Sequence, residues 1–236
     1  MSREFVRARR PEHKQQRREA ILAAARDLAV RRGVRAITLG DLADAVGLAK
    51  SNVVRYFGTR EEIFVELCGE EGYRLRDALL PQLADVTAET LPHVLATTLV
   101  EHELFCELLS QLTTHLEHNV SYSAAERLKV TSTVIIDELA RILAERPVGL
   151  DVDQARVLLS VTSQLGAGLW AASRPSHVVL QVYASHPELV PAGSVEASLE
   201  RLVAALAAGL RAEPPASHRV RRRVSRRGAA RHTVGL

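Results

Sequence analysis

The chain has 236 residues, 47% of them apolar, so it can bury a substantial core and most of it should fold rather than stay a solvated coil. No apolar run approaches the roughly 18–20 residues of a membrane span, and the arginine-rich start lacks the hydrophobic stretch of a signal peptide, so a cytoplasmic protein is expected. Two cysteines, Cys68 and Cys106, are too few for a disulfide framework or a multi-cysteine zinc site.

The net charge of +3 is unevenly placed: +5 over residues 1–67, −8 over 68–212 and +6 over 213–236. Basic ends around an acidic middle put any polyanion-binding activity at one or both ends.

Glycine and proline are sparse and the apolar residues recur at helical spacing, so an all-α fold is expected. The first helix is predicted from about Glu12 to Arg32, with Ile21, Leu22, Ala25, Leu28 and Ala29 on one face and Gly33 beyond its end. Thr38 caps a second helix whose Leu39, Leu42, Ala43 and Val46 share a face, and Asp41 suits its positive end. Gly47 breaks that helix, and a short third one covers about Ala49 to Phe57. Thr59 with Glu62 forms a capping box for a long fourth helix, expected to stop before Pro81 and to link two domains. Further helices are expected at about 87–100, 102–118, 121–145, 152–173 and 194–212, with a less regular piece at 175–186. From Glu213 the composition turns to Pro, Ser, Gly and Arg, which reads as a disordered tail.

The informative segment is Thr38 to Phe57. Two short helices that cross around a glycine turn need a small residue at the crossing, a residue tolerant of positive φ in the turn, and a branched apolar residue returning to the core. Ala43, Gly47 and Val53 have that order and spacing. The outer face of the second of these helices carries Lys50, Ser51, Asn52, Arg55 and Tyr56, donors suited to phosphates and base edges of duplex DNA. An ordinary helical hairpin could show the same spacing; the basic arm before it, with Lys14, Arg17 and Arg18, favours the DNA reading.

At these residues the sequence resembles the TetR family of transcriptional regulators. The match runs from about Arg17 to Leu67 and includes Gly33, Ile37-Thr-Leu, Val46-Gly, Tyr56-Phe57 and Thr59-Arg-Glu-Glu-Ile-Phe64. The resemblance implies a helix-turn-helix domain over 17–67 preceded by a basic arm over 1–16. It implies a helical effector-binding and dimerisation domain over 68–212, with the tail at 213–236. It also implies a homodimer on a near-palindromic operator. By position, Thr38, Lys50, Tyr56 and Arg60 would contact phosphates, while Ser51, Asn52 and Arg55 would lie nearest the bases. Ala49 departs from the pattern, where a capping serine or threonine is usual, and so does Val54, where an aromatic is common.

For an effector pocket the candidates are Phe105, Leu108, Leu109, Leu112, Thr162, Gln164 and Trp170, mostly apolar with a few polar groups; a fully packed core is the plainer reading of each. Gly166 and Gly168 allow close helix approach, as a pocket wall or in dimer packing. The apolar helices at 152–173 and 194–212 could form a four-helix dimer interface, although a monomer core has the same periodicity. His102, Cys106, His115 and His118 are metal-ligand types without the spacing of a known site, so no metal or other cofactor is expected.

Together these features predict a non-enzymatic, ligand-responsive repressor binding double-stranded DNA as a homodimer, with a small effector. An architectural DNA-binding protein of little sequence preference, led by its arginine-rich tail, is the alternative.

Overall fold

A computed structural model describes residues 4–112 and 114–213, with side chains from residue 13 onward. The arginine-rich tail and Arg3 of the basic arm lie outside the described residues, and for residues 4–12 only the backbone is described. The fold is all-α, and no strand occurs among the described residues. The N-terminal helices are α1 (Glu4–Arg32), α2 (Leu39–Ala45), α3 (Lys50–Phe57) and α4 (Arg60–Gln82). The body follows with α5 (Leu91–Glu101), α6 (Glu103–Leu112), α7 (Tyr122–Ala144), α8 (Val152–Ala172), α9 (His177–Ser185) and α10 (Val195–Ala212).

Four boundaries differ from expectation, the first being that helix α6 ends at Leu112 where a helix to about residue 118 is expected. Helix α1 begins at Glu4, not near Glu12. Helix α4 passes through Pro81 and ends at Gln82. A proline in the last turn removes a single internal bond, and the N–H of Leu83 still reaches the carbonyl of Leu79 at 3.0 Å. Helix α5 starts only at Leu91, because Thr87 and Thr90 hold the preceding turn through reciprocal hydroxyl bonds of 3.0 and 3.4 Å. Both predicted caps form: the Thr38 hydroxyl accepts the N–H of Asp41, and that of Thr59 accepts the N–H of Glu62.

Two apolar clusters organise the molecule. The first joins Ile21, Val34, Ile37, Leu42, Val53, Phe57, Ile63 and Phe64 of the N-terminal helices, and extends into the body through Leu108, Leu112, Leu116 and Leu128. The second joins α4, α5, α7, α8 and α10 through residues such as Leu79, Leu95, Leu143, Leu158 and Val203. Full burial of one such leucine stabilises by about 1.5–3 kcal/mol. Helix α4, about 35 Å long, contributes to both clusters, and so does Phe105 of α6. By contrast α9 buries none of its residues.

Candidate nucleic-acid interface and internal cavity

The turn between α2 and α3 has the geometry its residues call for. Gly47 sits at φ 64°, and the N–H of Leu48 bonds the carbonyl of Ala43 at 2.9 Å. Ala43 and Val53 are buried at the crossing. The first turn of α3 has no side-chain cap, since Ala49 occupies that position, and Val54 stands exposed.

Lys50, Ser51, Asn52 and Arg55 are exposed on α3, and Tyr56 is half-buried beside them. Lys14 of α1 lines a shallow cleft with Asn52, Arg55 and Tyr56, which brings part of the basic arm to the edge of this face. Lys50 lies back across α2 beside Gly40, where a Cβ would meet its Cε at 2.9 Å and the flexible lysine tip would have to shift. Thr38 is exposed at the start of α2, and its hydroxyl donates to Asp41 Oδ2 at 2.5 Å. That hydroxyl, the Thr38 N–H and Arg32 together hold the Asp41 carboxyl well below the usual carboxylate range.

Two arginines expected to meet DNA are turned inward. Arg60 donates to the carbonyls of Ile37 and Val34, pairs with Glu61 at 3.1 Å, and covers the Phe64 ring at 4.7 Å. Its guanidinium therefore fastens the turn after α1 instead of standing free for a phosphate. Arg18 donates to the carbonyl of Tyr56 and to Glu66, and stacks 4.2 Å over the Phe57 ring, tying α1 to α3 and α4. Apart from Glu61 and Phe64 beside Arg60, their partners lie 23 to 48 residues away in sequence, beyond any local pattern. Arg26 continues the same seam with bonds of 2.6 Å to the buried Glu71 and 2.8 Å to Glu70.

In the body, α4, α5, α6, α7 and α8 enclose a cavity of about 550 Å³. Five of the seven residues expected at a pocket line it, Phe105, Leu109, Leu112, Thr162 and Gln164, whereas Leu108 is fully buried in the first apolar cluster. Trp170 does not line it either; it packs on the core beneath Arg174, whose guanidinium lies 4.0 Å from the ring centroid. The wall supplied by α4 and α7 was not legible from apolar periodicity. Its available signal was Gly69 and Gly72, a turn apart in a long helix, where the missing side chains leave space. Burial pushes the Cys68 thiol in that wall up to about 12, so it stays protonated. His102 bonds the carbonyl of Thr98 at 2.7 Å and His115 meets Arg35 at 3.1 Å. Among the described residues no group of three or more His, Cys, Asp or Glu side chains is placed to hold a metal ion.

A hydrogen bond joins a helix of the cavity wall to the N-terminal helices. Glu107, on the α6 helix that lines the cavity, accepts the N–H of Val34 at 2.6 Å. Val34 is the same residue whose carbonyl Arg60 holds.

An exposed helix-turn-helix face on a helical body with an internal cavity defines a DNA-binding transcription regulator. The chain belongs to the TetR family: residues 21–67 match the family of bacterial regulatory proteins of tetR type, and residues 73–214 match the tetracyclin repressor-like C-terminal domain. Among solved structures it is similar to FadR of Thermus thermophilus, described as a TetR family transcriptional repressor in complex with lauroyl-CoA. That match has 20% identity and a TM-score of 0.56, over 84% of this chain and 97% of that one. A putative TetR-family transcriptional regulator from Rhodococcus sp. matches at 13% identity and TM-score 0.53, over 84% of this chain and 100% of that one. The multidrug binding protein EbrR, complexed with imidazole, matches at 17% identity and TM-score 0.51, over 86% and 98%. At these identities the likeness is one of fold. No curated protein sequence matches the chain. No helix among the described residues is long and apolar enough to cross a membrane.

Proposed function

We propose that this regulator acts as a homodimeric repressor that reads an inverted-repeat operator through α3 and releases it when a small effector enters the cavity. The observation that carries this reading is the shared wall: α4 and α6 line the cavity and also pack into the core of the helix-turn-helix. An effector that favours one arrangement of these two helices changes the placement of α3, provided it binds the DNA-incompetent arrangement better. The complexes of FadR with lauroyl-CoA and EbrR with imidazole support a ligand-responsive role.

Base reading falls to Ser51, Asn52 and Arg55, and phosphate contact to Lys50, Tyr56, Thr38 and Lys14. For pairing of two chains the support is apolar exposure at the C-terminal helices, including Val157 on α8 and Leu202 on α10 at 45% and 42% exposed. Residues 1–16 serve as a basic arm, 17–67 as the reading domain and 68–212 as the effector and dimerisation domain, with a tail from 213, all acting in the cytoplasm.

Selection of bound genomic fragments, followed by footprinting and light scattering, tests the reading. Symmetric half-sites protected by a dimer are the expected result; a monomer, or protection without half-site symmetry, overturns it.

A further inference from the structure

The cavity wall is unusual in its charge. It contains no Asp or Glu, so nothing there can neutralise a buried ammonium or amidinium group. Its two cations, Arg76 and Lys129, are already matched by carboxylates that do not line it. Arg76 pairs with Asp77 at 2.6 Å and Glu138 at 3.2 Å, and Lys129 with Glu117 at 2.5 Å. With the charge of each cation already offset, an anionic ligand gains no uncompensated positive charge in this wall.

The remaining polar groups are neutral and have hydrogen-bonding capacity to offer. Ser110, Ser132 and Ser163 donate their hydroxyls to carbonyls of their own helices, at 2.7, 2.9 and 3.0 Å, which leaves their lone pairs facing no donor. The Thr162 hydroxyl, in the same wall and 4% exposed, has no partner at all. The inner surface is made by leucines of α4, α5, α7 and α8, and the exposed residues Gln164, Gly168 and Ala171 mark its open end.

We propose that the cavity takes an uncharged, largely apolar molecule with one neutral hydrogen-bonding group, of the hydroxyl or carbonyl type, and discriminates against both cationic and anionic ligands of equal size. The proposal deepens the effector role above and rests on it, but its test needs no DNA. The apolar body occupies the leucine-lined interior, and the polar group meets the serine and threonine oxygens along α7 and α8. A hydrogen-bonding site of this kind discriminates because a ligand without the group leaves its partners unsatisfied.

Calorimetric titration of the full-length protein with 1-decanol, decanoate and decyltrimethylammonium, each below its aggregation threshold and near neutral pH, provides the test. The alcohol is expected to bind at least about tenfold tighter than either ion, a difference of about 1.4 kcal/mol or more. Equal or tighter binding of either ion overturns the proposal, and so does failure of all three probes to bind. Two variants fix the location. Gly69→Leu fills the wall where a Cβ meets only the Thr131 methyl at 3.6 Å, and should abolish decanol binding in a chain that circular dichroism shows to be folded. Gln164→Glu, on the exposed end, should strengthen binding of the cation severalfold relative to that of the alcohol. Folded variants that bind all three probes as the parent does place the ligand elsewhere and refute the assignment. Operator binding measured on the same samples shows separately whether the regulator reading stands.

Discussion

Glu107 and Val34 are 73 residues apart in sequence, yet the carboxylate of one holds the backbone N–H of the other at 2.6 Å. The contact joins α6, which lines the cavity, to the turn that follows α1. Val34 is fully buried, so its N–H has no access to water if the carboxylate is removed. Glu107→Ala should therefore destabilise the protein by about 1–3 kcal/mol, whereas Glu107→Gln, which keeps an acceptor, should cost less. Denaturant melts of both variants measure the difference.

The same carboxyl gives a pH signature. Burial raises its pKa above the ordinary 4.5, against the lowering effects of the Val34 N–H and Gln111. The folded chain thus keeps a proton that the unfolded chain has released. This group's contribution is complete below the ordinary value and is lost as pH rises through the raised one. Glu107→Gln should remove that part of the slope, seen by comparing melts of parent and variant from about pH 4 to 8.

Arg60 separates folding from DNA contact. Its bonds to the carbonyls of Val34 and Ile37 predict that Arg60→Ala loses about 1–3 kcal/mol of stability and leaves the salt dependence of DNA binding nearly unchanged. Lys50→Ala should do the reverse, weakening all sequences alike and flattening the salt slope by about one phosphate. Asn52→Ala or Arg55→Ala should cost about 1–3 kcal/mol on the operator and relax one base position per half-site. Binding curves on operator and scrambled DNA, beside circular dichroism, distinguish the three behaviours.

The two glycines of α8 should respond oppositely to alanine. At Gly166 a Cβ would lie 2.4 Å from Cδ2 of the buried Leu99, so Gly166→Ala forces that side chain to re-pack and should cost about 1–3 kcal/mol. At Gly168 nothing lies within 4 Å, and Gly168→Ala should stabilise the subunit by about 0.5–1 kcal/mol through helix propensity. Thermal melts of the two variants check the signs.

The sequence carried those parts of the molecule whose chemistry is local. The crossing residue Ala43, the turn at Gly47, the return at Val53 and the caps at Thr38 and Thr59 each act within a few residues, so spacing alone locates them. The direction in which an arginine turns is not local. Arg18 and Arg60 look like phosphate contacts until α4 is packed beside α1, because the carbonyls and the carboxylate that claim them come from other elements. The cavity was half legible for a related reason: apolar spacing marks a buried face, but cannot distinguish a face that touches its neighbour from one that borders space. Trp170 and Phe105 belong to equally apolar helices, and only Phe105 reaches the cavity.

Helix α9 interrupts the chain between α8 and α10 and leaves Val178, Leu180 and Val182 exposed, with Leu189 and Val190 exposed just beyond it. If a second copy covers these residues, a lone subunit is the less stable form, and mass action makes the melting temperature climb with protein concentration. A regulator built this way would deepen its own scarcity: as its level falls, more chains stand unpaired, and unpaired chains are the ones that proteases reach first.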